Sequence, residues 1–396
     1  MPVPSPFHSR TSPLCKTHEW RNWSGYIAVS AYEPTHDREY FAIRNAAGLI
    51  DVSPLFKYEI TGSDAARLVD RIITRNAIKC KIGQVMYTPW CDEEGKVIDD
   101  GTVSRLAENH FRITSADPSL RWFEDCGFGM DIQVNDVTEE LAALALQGPN
   151  SREILKQIVK NVDLDGLKFF HLTQAKIDNF PVTISRTGYT GDLGYELWVS
   201  PKYAEEMWDI LMDKGADYGI FPAGMVALDI VRIEAGLLLI EVDYISSMKA
   251  LTEFRKSSPF ELGLGWTVKL KKKDFIGKTP LVKESKQGSG WSFVGLEIHW
   301  EKLEQLYAEA DLPPLVAGRA SRDPLPVFKN GKQIGQMTSS TFSPLLKKYI
   351  AMGSIESKYA IPGSQVEMEI TIEFHRKLTT ATIVKTPFFD PPRKKA

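Results

Sequence analysis

The feature that most constrains this chain is a change of rhythm near residue 285. Ahead of it, strand-like alternation and helix-like periodicity take turns. Behind it, short strand candidates follow one another between Pro and Gly turns, and helical patterning is confined to Trp300–Ala310. The full length of 396 residues also exceeds what one hydrophobic core accommodates. Three packed units are therefore expected: 1–138, an aromatic-rich N-terminal segment with a first αβ unit; 139–285, a second αβ unit; and 286–396, a small β-barrel. Hairpin-length turns between strands argue for an α+β fold rather than a doubly wound parallel sheet.

Composition excludes several classes. Hydrophobic residues at 43% and charged residues at 25% are globular values, and a net charge of −3 gives no global attraction to nucleic acid or to an anionic membrane. Apolar runs such as Gly236–Ile240, which stops at Glu241, fall far short of the roughly 20 residues that span a bilayer. The start, Met1-Pro2-Val3-Pro4, lacks the basic and apolar regions of a signal peptide. Cys15, Cys80, Cys91 and Cys126 have neither CxxC spacing nor the pattern of a disulfide framework, so a reducing cytoplasm is the expected compartment. The dispersed histidines form no ligand motif, and no metal is expected.

Locally, Phe56–Thr61 alternates as a strand, and Gly62-Ser63-Asp64 is placed to cap a helix with apolar positions Ala65, Leu68, Val69, Ile72 and Ile73. Asp92 to Gly95 reads as a hairpin turn that sets Tyr87 and the Asp99-Asp100 pair near one sheet end. Adjacent acids on a strand point to opposite faces, so at most one enters a given pocket; the alternative is a solvated acidic turn. Gly188 to Glu196 carries three glycines between two strands. It is a hairpin needing a permissive backbone, or a place of close approach to a ligand. Glu196, among large apolar residues, is an outward strand residue or a buried acceptor. Arg232 with Glu234 reads by default as a helical ion pair of small value, and Lys269 with Lys271–Lys273 as a solvated face.

In order along the chain, Arg44–Ser53, Gly95–Asp100, Leu146–Pro149, Arg186–Glu196, Arg232–Gly236, Gly335–Ser340 with Ser343-Pro344, and Pro387–Asp390 resemble the motifs of the aminomethyltransferase family, whose best-known member is the T-protein of the glycine cleavage system. The resemblance implies a three-part, disc-like molecule: two αβ units and a C-terminal β-barrel, jelly-roll-like, around a central folate channel. It implies a one-carbon transferase that moves a methyl or aminomethyl-derived methylene group to N5 of tetrahydrofolate. By motif position Glu196 accepts hydrogen bonds from the pterin edge, Tyr87 and Tyr189 pack around the pterin, Arg232 meets the polar portion of the folate, and Arg376 pairs with its glutamate tail. Asp100, with Asp99 second, takes the place of the catalytic aspartate. The implied partners are a small methyl or aminomethyl donor and a lipoyl carrier protein. Where T-proteins read Asp-Val-Ser-His-Met this chain has Asp51-Val52-Ser53-Pro54-Leu55, and where they read Ala-Arg-Asp it has Ala227-Leu228-Asp229. Those departures bear on the donor. They keep two alternatives open, a folate-dependent demethylase of small N-, S- or O-methyl donors and a non-catalytic folate-binding regulatory or repair protein.

Overall fold

The computed structural model describes residues 1–396. A five-stranded antiparallel sheet orders the strands Val85–Cys91, Val97–Ala107, His110–Ser115, Phe56–Thr61 and Gln133–Asp136 side by side. The period of two along these strands sorts their side chains into two unlike faces. Tyr58, Ile60, Val103, Phe111 and Ile113 point to one side and are fully buried under the helices Ala65–Ile72 and Leu120–Cys126. Full burial of such side chains stabilises by about 1.5–3 kcal/mol each. The other face is polar: Lys57 pairs in register with Thr114 and Thr114 with Thr102, while Glu59 pairs with Arg112 and Arg112 with Ser104. The helix Ala65–Ile72 forms as its spacing predicts, but Asp64 does not cap it. Its carboxylate instead accepts the Asp131 backbone N–H at 3.0 Å.

The second sheet has six strands in the order Leu172–Ile177, Phe180–Ser185, Gly194–Val199, Ala142–Gln147, Ala47–Asp51 and Ile220–Pro222. Its Leu144, Leu146, Tyr195 and Leu197 lie in a core with the helices Ser151–Ile158 and Ala204–Gly215. Its opposite face carries Ile50, Ala143, Ala145 and Trp198 against the helix Met225–Glu234. The strand Ala47–Asp51 belongs to this sheet although it precedes every strand of the first. Continuous chain is thus shared between the two αβ units, which local periodicity has no means to reveal. The aromatic N-terminal segment packs on the body as expected, with Tyr40 and Tyr32 buried.

Beyond the change of rhythm, the strands Trp291–Ile298, Leu325–Lys329, Lys332–Ser343, Lys348–Glu356, Gln365–Ile372 and His375–Val384 close into a six-stranded antiparallel barrel, which removes every free edge. A single helix, Trp300–Ala308, accompanies it. The lysine cluster departs from the expected solvated face at one position. Lys272 is buried, donating to the carbonyls of Ile73 and Arg75 at 2.8 Å each and to that of Asp70, and burial lowers its pKa to about 8.

Candidate active site between the two sheets

The polar face of the first sheet lies opposite the Trp198 face of the second sheet, and the site is built between them. Asp92 makes the turn that starts it, its carboxylate accepting the N–H groups of Glu94 and Lys96 at 3.0 and 2.9 Å, with Gly95 at φ +74°. The strand then carries Asp99 and Asp100 in succession, and the period of two separates them. Asp99 is fully buried and faces inward, accepting backbone N–H groups from Asp100 at 2.7 Å, Asp117 at 3.0 Å and Ala116 at 3.2 Å. It ties the strand to the following loop. Asp100 turns to the polar face, where the Tyr87 hydroxyl donates to Oδ2 at 2.7 Å and the Tyr244 hydroxyl donates to Oδ1. Burial raises the pKa of both carboxyls, that of Asp99 further because of the adjacent Asp100 charge. For Asp100 the two tyrosine donors oppose the shift.

Tyr244 had no signal in the sequence, because it follows Glu241-Val242-Asp243 in an irregular segment without periodicity. The same is true of Trp266, whose ring stacks on Tyr87 with centroids 6.2 Å apart at 25° and which is 56% exposed.

On the second sheet Glu196 pairs in register with Ala145 and Ser185 and points into a narrow cleft. The Thr187 hydroxyl donates to its Oε2 at 2.6 Å, and burial raises its pKa. Thr102, Ser104 and Thr114 line the opposite wall. Thr102 lies two residues beyond Asp100 on the same face and opposite Tyr87. Glu196 is therefore an acceptor, half-buried in the cleft, rather than an outward strand residue. The glycines before it serve a narrower purpose than a permissive turn. Among Gly188, Gly191 and Gly194, positive φ occurs at Gly191 alone. A Cβ on Gly188 or Gly194 would stand 2.0 or 2.2 Å from the Gln147 amide. That amide donates to the carbonyls of Thr187 and Tyr195 at 3.2 and 3.4 Å and accepts from Thr190, which holds the loop closed over the sheet.

Tyr189 lies within reach of the charges of Asp100 and Arg232, half-buried, with its hydroxyl donating to the Leu238 carbonyl. Burial raises its pKa; Arg232 opposes this and Asp100 adds to it. Arg232 is not the surface ion pair its default reading suggested. It is 1% exposed and its donors are taken by Asp229 at 2.9 Å, Asp243 at 2.6 Å and Ser339 of the barrel at 2.7 Å. Arg376 sits apart, 80% exposed beside a barrel hairpin tip, with Glu369 at 3.7 Å. The structure thus gathers Asp100, Tyr87 and Tyr189 in one region, with Glu196 in the neighbouring cleft. It places Asp99 and Arg232 in supporting networks and leaves Arg376 outside.

Several motifs meet elsewhere. Arg44 donates twice to Glu234 at 2.6 and 2.8 Å and to the Thr190 carbonyl at 2.8 Å. Tyr40 and Ser343 donate to the other Glu234 oxygen at 2.6 and 2.5 Å. Asp192 is held by Arg393 at 2.7 Å. This buried knot fastens the helix Asp37–Asn45, the Gly-rich loop, the barrel and the C-terminal segment together.

Comparison with known proteins agrees with this architecture. The GCVT N-terminal domain family matches residues 10–272, and the glycine cleavage T-protein C-terminal barrel domain family matches residues 315–390. An aminomethyltransferase of Halothermothrix orenii is 36% identical over 391 residues, covering 96% of this chain and 99% of its own. One of Bacillus subtilis is 33% identical over 380 residues, with 94% and 95% covered. A trimethylamine-oxide aldolase of Ruegeria pomeroyi is 36% identical over 400 residues, covering 98% of this chain and 47% of the aldolase. The crystal structure of glycine cleavage system aminomethyltransferase T from Bartonella henselae superposes with a TM-score of 0.83 over 98% of this chain at 23% identity, which shows a shared fold. The class is that of one-carbon group transferases. Within it, the chain belongs to the aminomethyltransferase family, the family of the glycine cleavage T-proteins.

Proposed function

We propose that this enzyme moves a methyl or aminomethyl-derived methylene group onto N5 of tetrahydrofolate. The observation that carries this reading is Asp100: a carboxylate held by two tyrosine hydroxyls on the face that continues, through Thr102, to the cleft of Glu196. The donor and acceptor set of the cleft matches the edge of a pterin. Its walls are hydroxyl-rich, and the Glu196 carboxyl offers paired acceptors to parallel N–H donors. When bound, tetrahydrofolate supplies a nucleophilic nitrogen. Glu196 anchors the pterin edge, Tyr87 and Tyr189 supply flanking aromatic surface, and Arg232 acts as a positioning residue through Asp229 and Asp243. Asp100 stabilises positive charge that develops at the folate nitrogens or takes the released proton, and its raised pKa brings it nearer neutrality as an acceptor. Holding both reactants in line provides much of the remaining acceleration.

A second reading of the donor, a small N-, S- or O-methyl compound in place of an aminomethyl group on a lipoyl carrier protein, is supported by Pro54-Leu55 in the near-N-terminal motif and by the similarity to the aldolase. The test is incubation with tetrahydrofolate and a panel of aminomethyl and methyl donors, followed for 5,10-methylene- or 5-methyl-tetrahydrofolate. Asp100→Asn should bind tetrahydrofolate with little change and slow single-turnover transfer by roughly a hundredfold or more, the range of a lost acid–base group. Tight folate binding without product across the panel would favour a non-catalytic folate-binding protein instead.

A further inference from the structure

Arg75 stands out beside the site. It lies half-buried after the helix Ala65–Ile72, with its guanidinium carbon 5.6 Å from the Trp266 ring centroid and Nη1 donating to the Tyr87 carbonyl at 3.4 Å. Trp266 in turn stacks on Tyr87, whose hydroxyl reaches Asp100. Arg75 therefore borders the Trp266–Tyr87 pair that leads to the Asp100 carboxylate, and Trp266 keeps much of its ring exposed. No acidic side chain pairs with it; its remaining side-chain donors have no protein acceptor. Burial lowers its pKa, and no carboxylate offsets that shift. Two arginines of the interior, Arg44 and Arg232, are by contrast paired with acids, while the buried Arg186 donates to backbone carbonyls. The one ion pair beside it, Lys272 with Asp70 at 3.2 Å, leaves the Arg75 guanidinium itself without an acid. Lys269 bonds to the Thr74 carbonyl through its backbone N–H at 3.0 Å and to the Trp266 carbonyl through Nζ at 2.7 Å, and neither it nor Lys79 or Lys81 is in an ion pair.

A partly desolvated guanidinium with free donors is matched by a carboxylate, which it can take in a bidentate pair. The aromatic ledge beside it suits a planar ring leading to that carboxylate. We propose that Arg75, with Trp266 as its platform, binds a carboxylate of the glutamate tail of the folate where it leaves the site. This rests on the folate reading above and differs from the motif-based placement of the tail at Arg376, which the fold leaves 80% exposed beside a barrel hairpin.

The experiment compares Arg75→Gln, Arg75→Lys and Arg376→Gln by calorimetric titration with two probes: tetrahydrofolate and 6-methyltetrahydropterin, which has the ring system and no benzoylglutamate. Arg75→Gln should weaken tetrahydrofolate roughly tenfold to a hundredfold, the range for a charge-assisted hydrogen bond. Its affinity for the tetrahydropterin should be unchanged, which also certifies the fold of the variant. Arg75→Lys should recover part of the loss, and Arg376→Gln should lose nothing. Unchanged tetrahydrofolate affinity in Arg75→Gln would overturn the assignment. So would equal losses for both probes, since Arg75 would then be acting through Tyr87 on the pterin. Failure of the unaltered protein to bind either probe would remove the folate reading itself, and this inference with it.

Discussion

Two carboxylates one residue apart have unlike fates here, and the reason is the pleat of the strand that carries them. Asp99 is spent on three backbone donors, whereas Asp100 keeps only tyrosine hydroxyls, which can yield or share a proton. Activity that needs the Asp100 carboxylate ionised should rise with pH through its pKa, placing the acid limb above the ordinary value near about 3.9. The Tyr244 hydroxyl lowers that pKa, so Tyr244→Phe should move the limb of the kcat profile to higher pH. An unmoved limb would mean that Asp100 is not the titrating group. At the other wall, Glu196→Ala should weaken tetrahydrofolate by roughly a hundredfold or more, because two pterin donors lose their acceptor together. Equilibrium titration checks this, and unchanged affinity would sink the pocket assignment. Much of this is legible in the residues themselves: the turn at Asp92–Gly95, the opposed faces of Asp99 and Asp100, and the oddity of Glu196 all follow from alternation along a strand. Tyr244 and Trp266 are not, because they reach the site from irregular segments remote in sequence.

At the scale of elements, the long strand Val97–Ala107 sets where Asp100 points, and Gly101 sets how closely that strand meets its neighbour. A Cβ there would stand 1.9 Å from the Thr114 carbonyl oxygen and 3.3 Å from the Trp90 ring. Gly101→Ala should therefore force the strands apart, destabilising by about 1–3 kcal/mol. It should also lower turnover more than tetrahydrofolate affinity, since Asp100 is the next residue. Denaturant titration and steady-state kinetics on the same preparation separate the two effects. The helix Ala65–Ile72 and the strand Phe56–Thr61 are both readable from periodicity to within a residue. The capping role of Asp64 is not, since a short acid beside a helix start also faces a neighbouring loop, and here the Asp131 N–H takes it.

For the whole molecule, the decisive contacts are the buried charges that cross between units. Arg44 and Glu234 have no exposed side-chain surface, and Glu234 also receives Ser343 from the barrel. Arg44→Met would leave Glu234 charged and unpaired in the interior. Breaking a buried pair from one side costs about 3–5 kcal/mol, so the urea midpoint should fall markedly; a change within error would show that water or the fold readily compensates. The sequence by itself determined the α+β character, the run of strands that closes the barrel, and the family, because periodicity, turn chemistry and ordered motifs are properties of contiguous residues. Only the tertiary structure decided that Ala47–Asp51 crosses into the second sheet, that Arg232 and Glu234 are interior fastenings, and that Tyr244 and Trp266 complete the surroundings of Asp100. Those outcomes depend on which polar groups remain unpaired once sheets, helix and barrel close on one another, and burial assigns partners across distances in sequence that no local pattern records.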